Sequence, residues 1–196
     1  MANLKIFDKY TSEGVQVSDV GIKPYINLND KLVLKTHGRH NEKFGREKIN
    51  IVERLALLLG VPGHRGKKQK IQTSWASGKY SKHMKIVMEA FKILEKSGNP
   101  IQILVKAVEN SSPCDEVTTI EYGGARYPQS VDVSPLRRIN LALRNLVHGA
   151  YDKAFAKKTK MYQALANELL LASQGSNEAF AVQKKIETEK QADAAR

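Results

Sequence analysis

The chain has 196 residues, of which 32 are lysine or arginine and 20 are aspartate or glutamate, so its formal net charge is +12. This length predicts one domain with arms or tails, and 41% hydrophobic residues are enough for a real core, which argues against a wholly disordered basic protein. The longest apolar run, residues 55–59, is too short to span a bilayer, and a single cysteine excludes a disulfide framework. Composition therefore predicts a soluble intracellular protein whose partner is a polyanion.

The first 45 residues lack a sustained helical period and are predicted to form a basic, partly extended N-terminal extension. From residue 46 onward apolar side chains recur at helical spacing, which predicts a helical domain. Its first helix is predicted over residues 47–59, ended by Gly60 and Pro62. Further helices are predicted over residues 80–97, 100–110, 134–150, 160–172 and 178–195. The fold class is therefore mainly α, a bundle of about six helices.

A glycine-rich basic loop follows the first helix, over residues 63–78. No acidic residue lies between Glu53 and Glu89, whereas this stretch contains eight basic residues: Arg54, Arg65, Lys67, Lys68, Lys70, Lys79, Lys82 and Lys85. Charge of one sign around such a loop favours phosphate neutralisation, although a solvated basic loop has the same composition. No basic helix has the Trp, Phe and Leu face of an interfacial membrane helix, so nucleic acid is favoured over a membrane. Trp75 in this loop either stacks on a base or packs into the bundle.

A β-hairpin is predicted over residues 115–133, where the period changes from helical to alternating. A two-residue turn at 123–124 pairs Tyr122 with Ala125, and it places Tyr122 and Tyr127 on one face. Glu121 and Arg126 then pair on the other face. Because two strands alone are marginally stable, the hairpin either folds flat on its own bundle or protrudes as an arm towards nucleic acid or a partner.

Basic side chains on the helices are the stronger binding candidates. Lys82 and Lys85 lie on the stripe of the second helix opposite its apolar face. On the fourth helix, Arg137, Arg144 and His148 fall within about 40° of one another. Arginine forks suit phosphates and stack on bases, so a strip of them beside a tyrosine-bearing hairpin indicates RNA recognition. The alternative is that each arginine pairs with a local acid.

No sequence pattern of a common catalytic or metal site is present. His37 and His40 have a spacing that can bind metal on a helix, but Gly38 separates them and no carboxylate or thiol ligand is close. The phosphate-binding loop of nucleotide hydrolases, the nucleophile elbow and the zinc-protease helix are all missing. We therefore expect no enzyme activity, no metal and no cofactor, and we expect His148 to contact a phosphate or to form a hydrogen bond.

Six motifs occur along the chain in a recognisable order: Gly66–Lys68 before a basic-faced helix, Ala107–Asn110 with Pro113, the turn Tyr122–Gly124, Val131–Arg138, Leu165–Leu169 and Ala181–Lys185. In this order, and with a hairpin between helices, they resemble the small-subunit ribosomal protein family numbered seven. The resemblance covers about residues 47–196. The longer first part, and an end at Arg196 without an aromatic tail, resemble the archaeal and eukaryotic branch.

The resemblance implies a primary RNA-binding protein of the cytoplasmic ribosome. Members bind the 3′ major domain of small-subunit ribosomal RNA, nucleate assembly of the head, and lie at the subunit interface near the exit site and decoding region. The implied partners are ribosomal RNA, exit-site transfer RNA, messenger RNA, and neighbouring small-subunit proteins of the head and platform. On this interpretation the protein catalyses nothing.

Carried over by position, the resemblance implies RNA contacts for Lys67, Lys68, Arg126, Arg137, Arg138, Lys184 and Lys185. Two departures are visible: Gln183 stands where relatives often have a third basic residue, and residues 69–82 look like an insertion. Together with the charge pattern, the predicted RNA-binding set is Arg65, Lys67, Lys68, Lys70, Lys82, Lys85, Tyr122, Arg126, Tyr127, Arg137, Arg138, Arg144, Lys184 and Lys185.

Two other classes of function remain open. A basic architectural DNA-binding protein would show no preference for RNA junctions over duplex DNA. An RNA-processing or RNA-modifying enzyme would need an acid–base or nucleophile cluster, which the sequence does not show.

Overall fold

The computed structural model describes residues 5–31, 34–36, 42–65, 68–69 and 76–196, and only the backbone of Lys68. Within these ranges the six α-helices are α1 Ile51–Leu58, α2 Tyr80–Leu94, α3 Pro100–Ser111, α4 Pro135–Ala154, α5 Met161–Ser173 and α6 Phe180–Asp193. Two antiparallel strand pairs accompany them: β1 His64–Arg65 with β2 Lys68–Gln69, and β3 Asp115–Tyr122 with β4 Ala125–Asp132. The mainly α bundle with one hairpin is confirmed. None of the helices described here has the length and apolarity needed to cross a bilayer.

Helix α5 is the centre of the bundle, since it packs against α2, α3 and α4. Its Leu165 and Leu169 meet fully buried side chains of the surrounding helices, including Phe91, Leu104 and Leu143. Fully burying a side chain of this size contributes roughly 1.5–3 kcal/mol, so the shared core fixes the helices relative to one another. The outer faces of α4 and α6 are thereby held rigidly for contact with a partner.

Residues 5–31 of the N-terminal extension form a strap across the helices. Ile6 and Ile22 are fully buried in the same core as the helices, and Tyr10 packs edge-on against Phe91 at 5.8 Å between ring centroids. The Glu109 carboxylate of α3 accepts hydrogen bonds from two successive backbone amides of the strap. The strap also contains internal backbone hydrogen bonds, including those of a 3₁₀ turn at Lys23–Tyr25, and its partly extended character stays a prediction. The predicted domain boundary at residue 45 stays a prediction.

Helix α1 begins four residues later than the sequence predicts. Asn50 accepts a hydrogen bond from Val52 N at 2.9 Å and so caps the helix, while Gly45–Lys48 forms a separate 3₁₀ turn. The start of α4 is as predicted, with Pro135 in its first position, but the Ser134 side chain makes no capping hydrogen bond. Local propensity therefore located the helices, whereas capping decided where they end.

The hairpin has the predicted register and protrudes. Gly123 and Gly124 have φ values of +59° and +81°, which two-residue hairpin turns require, and Tyr122 pairs with Ala125. The base is tied to the end of the chain, because Ser130 N donates to Ala195 O at 3.3 Å and Arg196 pairs with Asp115 at 3.0 Å. The distal part is exposed, so of the two arrangements considered the hairpin adopts that of an arm.

Candidate nucleic-acid interface

A groove runs between α1 and α4, and three long-range contacts hold its walls. Arg54 of α1 donates to Asn140 Oδ1 of α4 at 3.0 Å, and Tyr151 OH donates to Leu59 O at 2.9 Å. At the far end, Arg65 forms a bidentate pair with Asp152, both N–O distances being 2.9 Å. The groove is therefore a fixed feature of the fold.

The groove consists of two adjoining clefts of about 190 and 220 Å3, which share Arg46, Leu58 and Val61. The smaller cleft, nearer the end of α4, is lined by Arg46, Leu58, Val61, His64, Arg144, Val147 and His148. Cationic side chains thus stand around an apolar floor that residues from α1, α4 and the segment between α1 and β1 build together. We call this feature the α1–α4 groove.

Positive charge in the groove is only partly offset by carboxylates in the described part of the chain, of which Glu47 acts on Arg54. Neither Arg46 nor Arg144 forms an ion pair there with a described carboxylate. Burial, with a smaller contribution from the nearby Arg46 cation, lowers the pKa of Arg54 to about 10. Cations that repel one another in this way favour an incoming anion, and a phosphate has the geometry that arginine forks bind.

Two of the predicted arginines are structural. The Arg138 side chain is only 14% exposed and bonds Asp19 of the strap at 2.7 Å. Arg65 is half-buried in its pair with Asp152. Removing one partner of such a partly buried pair costs about 2–4 kcal/mol, so both guanidiniums first of all hold distant segments together. Their contact with RNA stays a prediction.

The hairpin and the start of α4 place further predicted residues at the surface. Tyr122, at the tip, is 81% exposed, and Tyr127 is also exposed on the same face. Arg126 lies 3.6 Å from its cross-strand partner Glu121 and remains open to solvent. Arg137 pairs with Glu116 at 2.6 Å, which joins α4 to the hairpin base. Arg126 lies on the opposite face of the hairpin from the two tyrosines.

The predicted lysines are distributed more widely. Lys82 and Lys85 are exposed on α2, as expected. In α6, Lys184 bonds Glu187 and lies 5.8 Å from the Phe180 ring centre, whereas Lys185 forms no ion pair with a described residue. Lys67 and Lys70, the side chain of Lys68, Trp75, and the pair His37 and His40 lie outside the described residues.

Two basic features were missed by sequence reasoning. Arg46 is not among the predicted RNA-binding residues, and the structure places it in the α1–α4 groove. The loop between α4 and α5 exposes Lys157, Lys158 and Lys160 next to Phe155, whose side chain is 47% exposed. None of these three lysines pairs with a described carboxylate. The sequence signal that could have identified this loop is its run of three lysines within four residues.

Two histidines of the helices, His83 and His148, are buried. His148 is buried in α4 and lines the groove with His64. His83 is buried against α1, where burial lowers its pKa. In the part of the chain that the structure describes, no three histidine, cysteine or carboxylate side chains come together as a metal site would require.

Comparison with known proteins gives one consistent result. The family model described as "Ribosomal protein S7p/S5e" matches residues 23–196. The chain is 44% identical over 196 residues to small ribosomal subunit protein uS7 of Nanoarchaeum equitans, covering 98% of this chain and 99% of that protein. It is 42% identical over 195 residues to uS7 of Picrophilus torridus, covering 97% and 98%. It is 43% identical over 188 residues to uS7 of Methanothermobacter thermautotrophicus, covering 94% and 95%.

These relatives are archaeal, as the long first part of the chain led us to expect, and the matches extend over nearly the whole of each protein. The motif-based resemblance is therefore confirmed: the chain belongs to the ribosomal protein S7p/S5e family.

Proposed function

We propose that the protein is a primary binder of small-subunit ribosomal RNA, which contacts the 3′ major domain and nucleates assembly of the head. As a member of the family the chain is a ribosomal protein of the small subunit, located in the cytoplasmic ribosome, and the family is not a class of enzymes. Its role is to supply a rigid cationic surface that holds together RNA helices which otherwise repel one another. Neighbouring proteins of the head and platform complete the proposed partners.

The proposal rests on a difference among the arginines: some pair with a carboxylate and others do not. Arg65, Arg137 and Arg138 all have carboxylate partners, whereas Arg46 and Arg144 in the α1–α4 groove have none among the described residues. Unpaired cations gathered in one groove are what phosphate binding requires, because each contact releases condensed counterions. Phosphate contacts then supply affinity, while RNA shape and splayed bases supply specificity.

The hairpin supports a second contact, with RNA beyond the part that the helices bind. Its tip presents Tyr122 and Tyr127 on one exposed face, and its base is fixed by α6 and Arg137. A rigid arm with exposed aromatic rings reaches beyond the RNA bound by the helices. We assign to it the contact with exit-site transfer RNA and messenger RNA at the subunit interface.

The test is binding to a transcript of the head junction from the 3′ major domain, across a salt series from about 50 to 200 mM. An unrelated structured RNA of equal length and a duplex DNA are the controls. We expect tight, steeply salt-dependent binding to the junction that survives competition by either control. Equal binding to both RNAs would contradict specific ribosomal RNA recognition, and equal binding to duplex DNA would favour the architectural DNA-binding alternative.

A further inference from the structure

An exposed valine among cations distinguishes the α1–α4 groove from a simple phosphate site. Val61 is 59% exposed and lines the smaller cleft together with Leu58 and Val147. Phosphate binding requires cations and hydrogen-bond donors, but it has no use for an apolar floor. Apolar surface that is enclosed by positive charge fits a ligand with both an apolar face and a negative charge.

The cations stand on both sides of that floor. Arg46 comes from the 3₁₀ turn before α1, and Arg144 comes from α4. The cleft between them is small, with a volume of about 190 Å3, and it opens to solvent beside Val61. Because Arg54, Tyr151 and Arg65 hold the walls together, the opening is formed before any ligand arrives.

We propose that the α1–α4 groove binds one unpaired nucleotide of RNA, with its base packed on Leu58 and Val61 and its phosphate held by Arg46 and Arg144. Splayed bases in RNA loops and bulges are recognised by apolar or aromatic packing and by stacking on guanidinium planes. This inference rests on the proposed RNA binding and adds a source of specificity to it. A continuous duplex offers no free base, so the groove selects RNA in which one nucleotide is extruded beside the phosphate contacts.

The apolar part of the proposal is tested by Val61→Ser, which alters an exposed side chain and leaves the core intact. We expect the affinity for the head-junction transcript to fall about fivefold to tenfold, because the base loses its apolar contact. The slope of log affinity against log salt should not change, since no phosphate contact is lost. Val20→Ser is the matched control, because Val20 is also largely exposed but does not line the groove.

The cationic part is tested by two substitutions at Arg144. Arg144→Ala should weaken binding and reduce the magnitude of the salt slope by about one, as expected for one lost phosphate contact. Arg144→Lys keeps the charge but not the planar guanidinium, so the slope should remain and the affinity should still fall. Full affinity with lysine would overturn the bidentate contact of the Arg144 guanidinium with the phosphate.

A photo-crosslinking benzophenone amino acid at position 61 identifies the occupant directly. We expect a crosslink to one unpaired nucleotide of the transcript, which the same group at position 20 does not reach. If the wild-type protein fails to prefer the junction, the proposed function fails. If it prefers the junction but Val61→Ser behaves like Val20→Ser, or if position 61 of the protein in small subunits crosslinks to a neighbouring protein, only the nucleotide site is overturned.

Discussion

Gly149 of α4 faces the buried carboxylate of Glu168 in α5 so closely that a Cβ atom at Gly149 would lie 2.8 Å from Glu168 Oε1. This carboxylate accepts hydrogen bonds from Ala181 N in the first turn of α6, at 3.2 Å, and from Lys153 Nζ, at 2.6 Å. Negative charge at a helix N-terminus is stabilised by the helix dipole. Three helices therefore meet at one ion pair, which fixes the start of α6 against α4.

We expect Gly149→Ala to lower the free energy of unfolding by about 1–3 kcal/mol, since the added methyl group has to displace the Glu168 carboxylate or the Phe180 Cβ. Urea denaturation followed by circular dichroism measures the change. Gly78→Ala is the matched control, because no atom of the described residues lies within 4 Å of the Cβ position there. A denaturation midpoint for Gly149→Ala equal to that of the control would contradict the close approach of the three helices.

His83 is expected to make stability depend on pH. Burial is the main cause of the lowered pKa of His83. A hydrogen bond with the Ser77 backbone opposes this shift, and the charge of Lys82 adds a smaller lowering effect. The unfolded chain binds a proton on His83 more readily than the folded protein does. The contribution of neutral, buried His83 to stability is therefore fully present above about pH 7 and is lost as the pH falls below about 6.5.

The free energy of unfolding at about pH 7.5 and pH 6 tests this expectation. His83→Asn should show a smaller loss between the two pH values than the wild-type protein. His64→Asn, at an exposed position, should retain the wild-type difference. An identical pH dependence in His83→Asn and the wild-type protein would show that another group is responsible.

The parts of this structure that depend on neighbouring residues were predictable, and those that depend on distant ones were not. The turn at Gly123 and Gly124 fixed the hairpin register, because glycine pairs in a two-residue loop favour one geometry. The partner of Arg138, in contrast, lies 119 residues away at Asp19, and no local pattern identifies it. The α1–α4 groove has the same origin, since Arg46, Val61 and Arg144 meet only after the helices pack. The sequence thus predicted which residues are basic but not which of them are neutralised.

The ion pair between Asp19 and Arg138 is expected to fasten the strap rather than to bind RNA. Asp19→Asn and Arg138→Ala should each lower the free energy of unfolding by about 2–4 kcal/mol, because either leaves a partly buried polar group without its partner. In the double variant the two losses should not add. Thermal denaturation of the single and double variants measures this coupling. Additive losses would mean that the two side chains act independently.

Tyr122 at the hairpin tip is expected to act in binding and not in folding. Its side chain is largely exposed, so Tyr122→Ala should leave the melting temperature unchanged. If its ring stacks on a base of transfer RNA or messenger RNA, reconstituted small subunits carrying the variant should bind exit-site transfer RNA on the order of tenfold more weakly. Thr119→Ala, on the opposite face of the hairpin, is the control. Equal binding by the two variants would remove the hairpin face from the proposed contact.

The lysines of the α4–α5 loop are expected to contribute affinity without specificity. Replacing Lys157, Lys158 and Lys160 by alanine should reduce the magnitude of the salt slope by up to about three and weaken binding to every RNA alike, because lysines contact phosphates as point charges. A second triple variant at Lys5, Lys9 and Lys96, around the contact between Tyr10 and Glu95, removes the same charge elsewhere. If affinity depended on net charge alone, the two variants would bind equally. A larger effect at the α4–α5 loop would place that loop within the RNA footprint, because only contacts with bound phosphates release counterions.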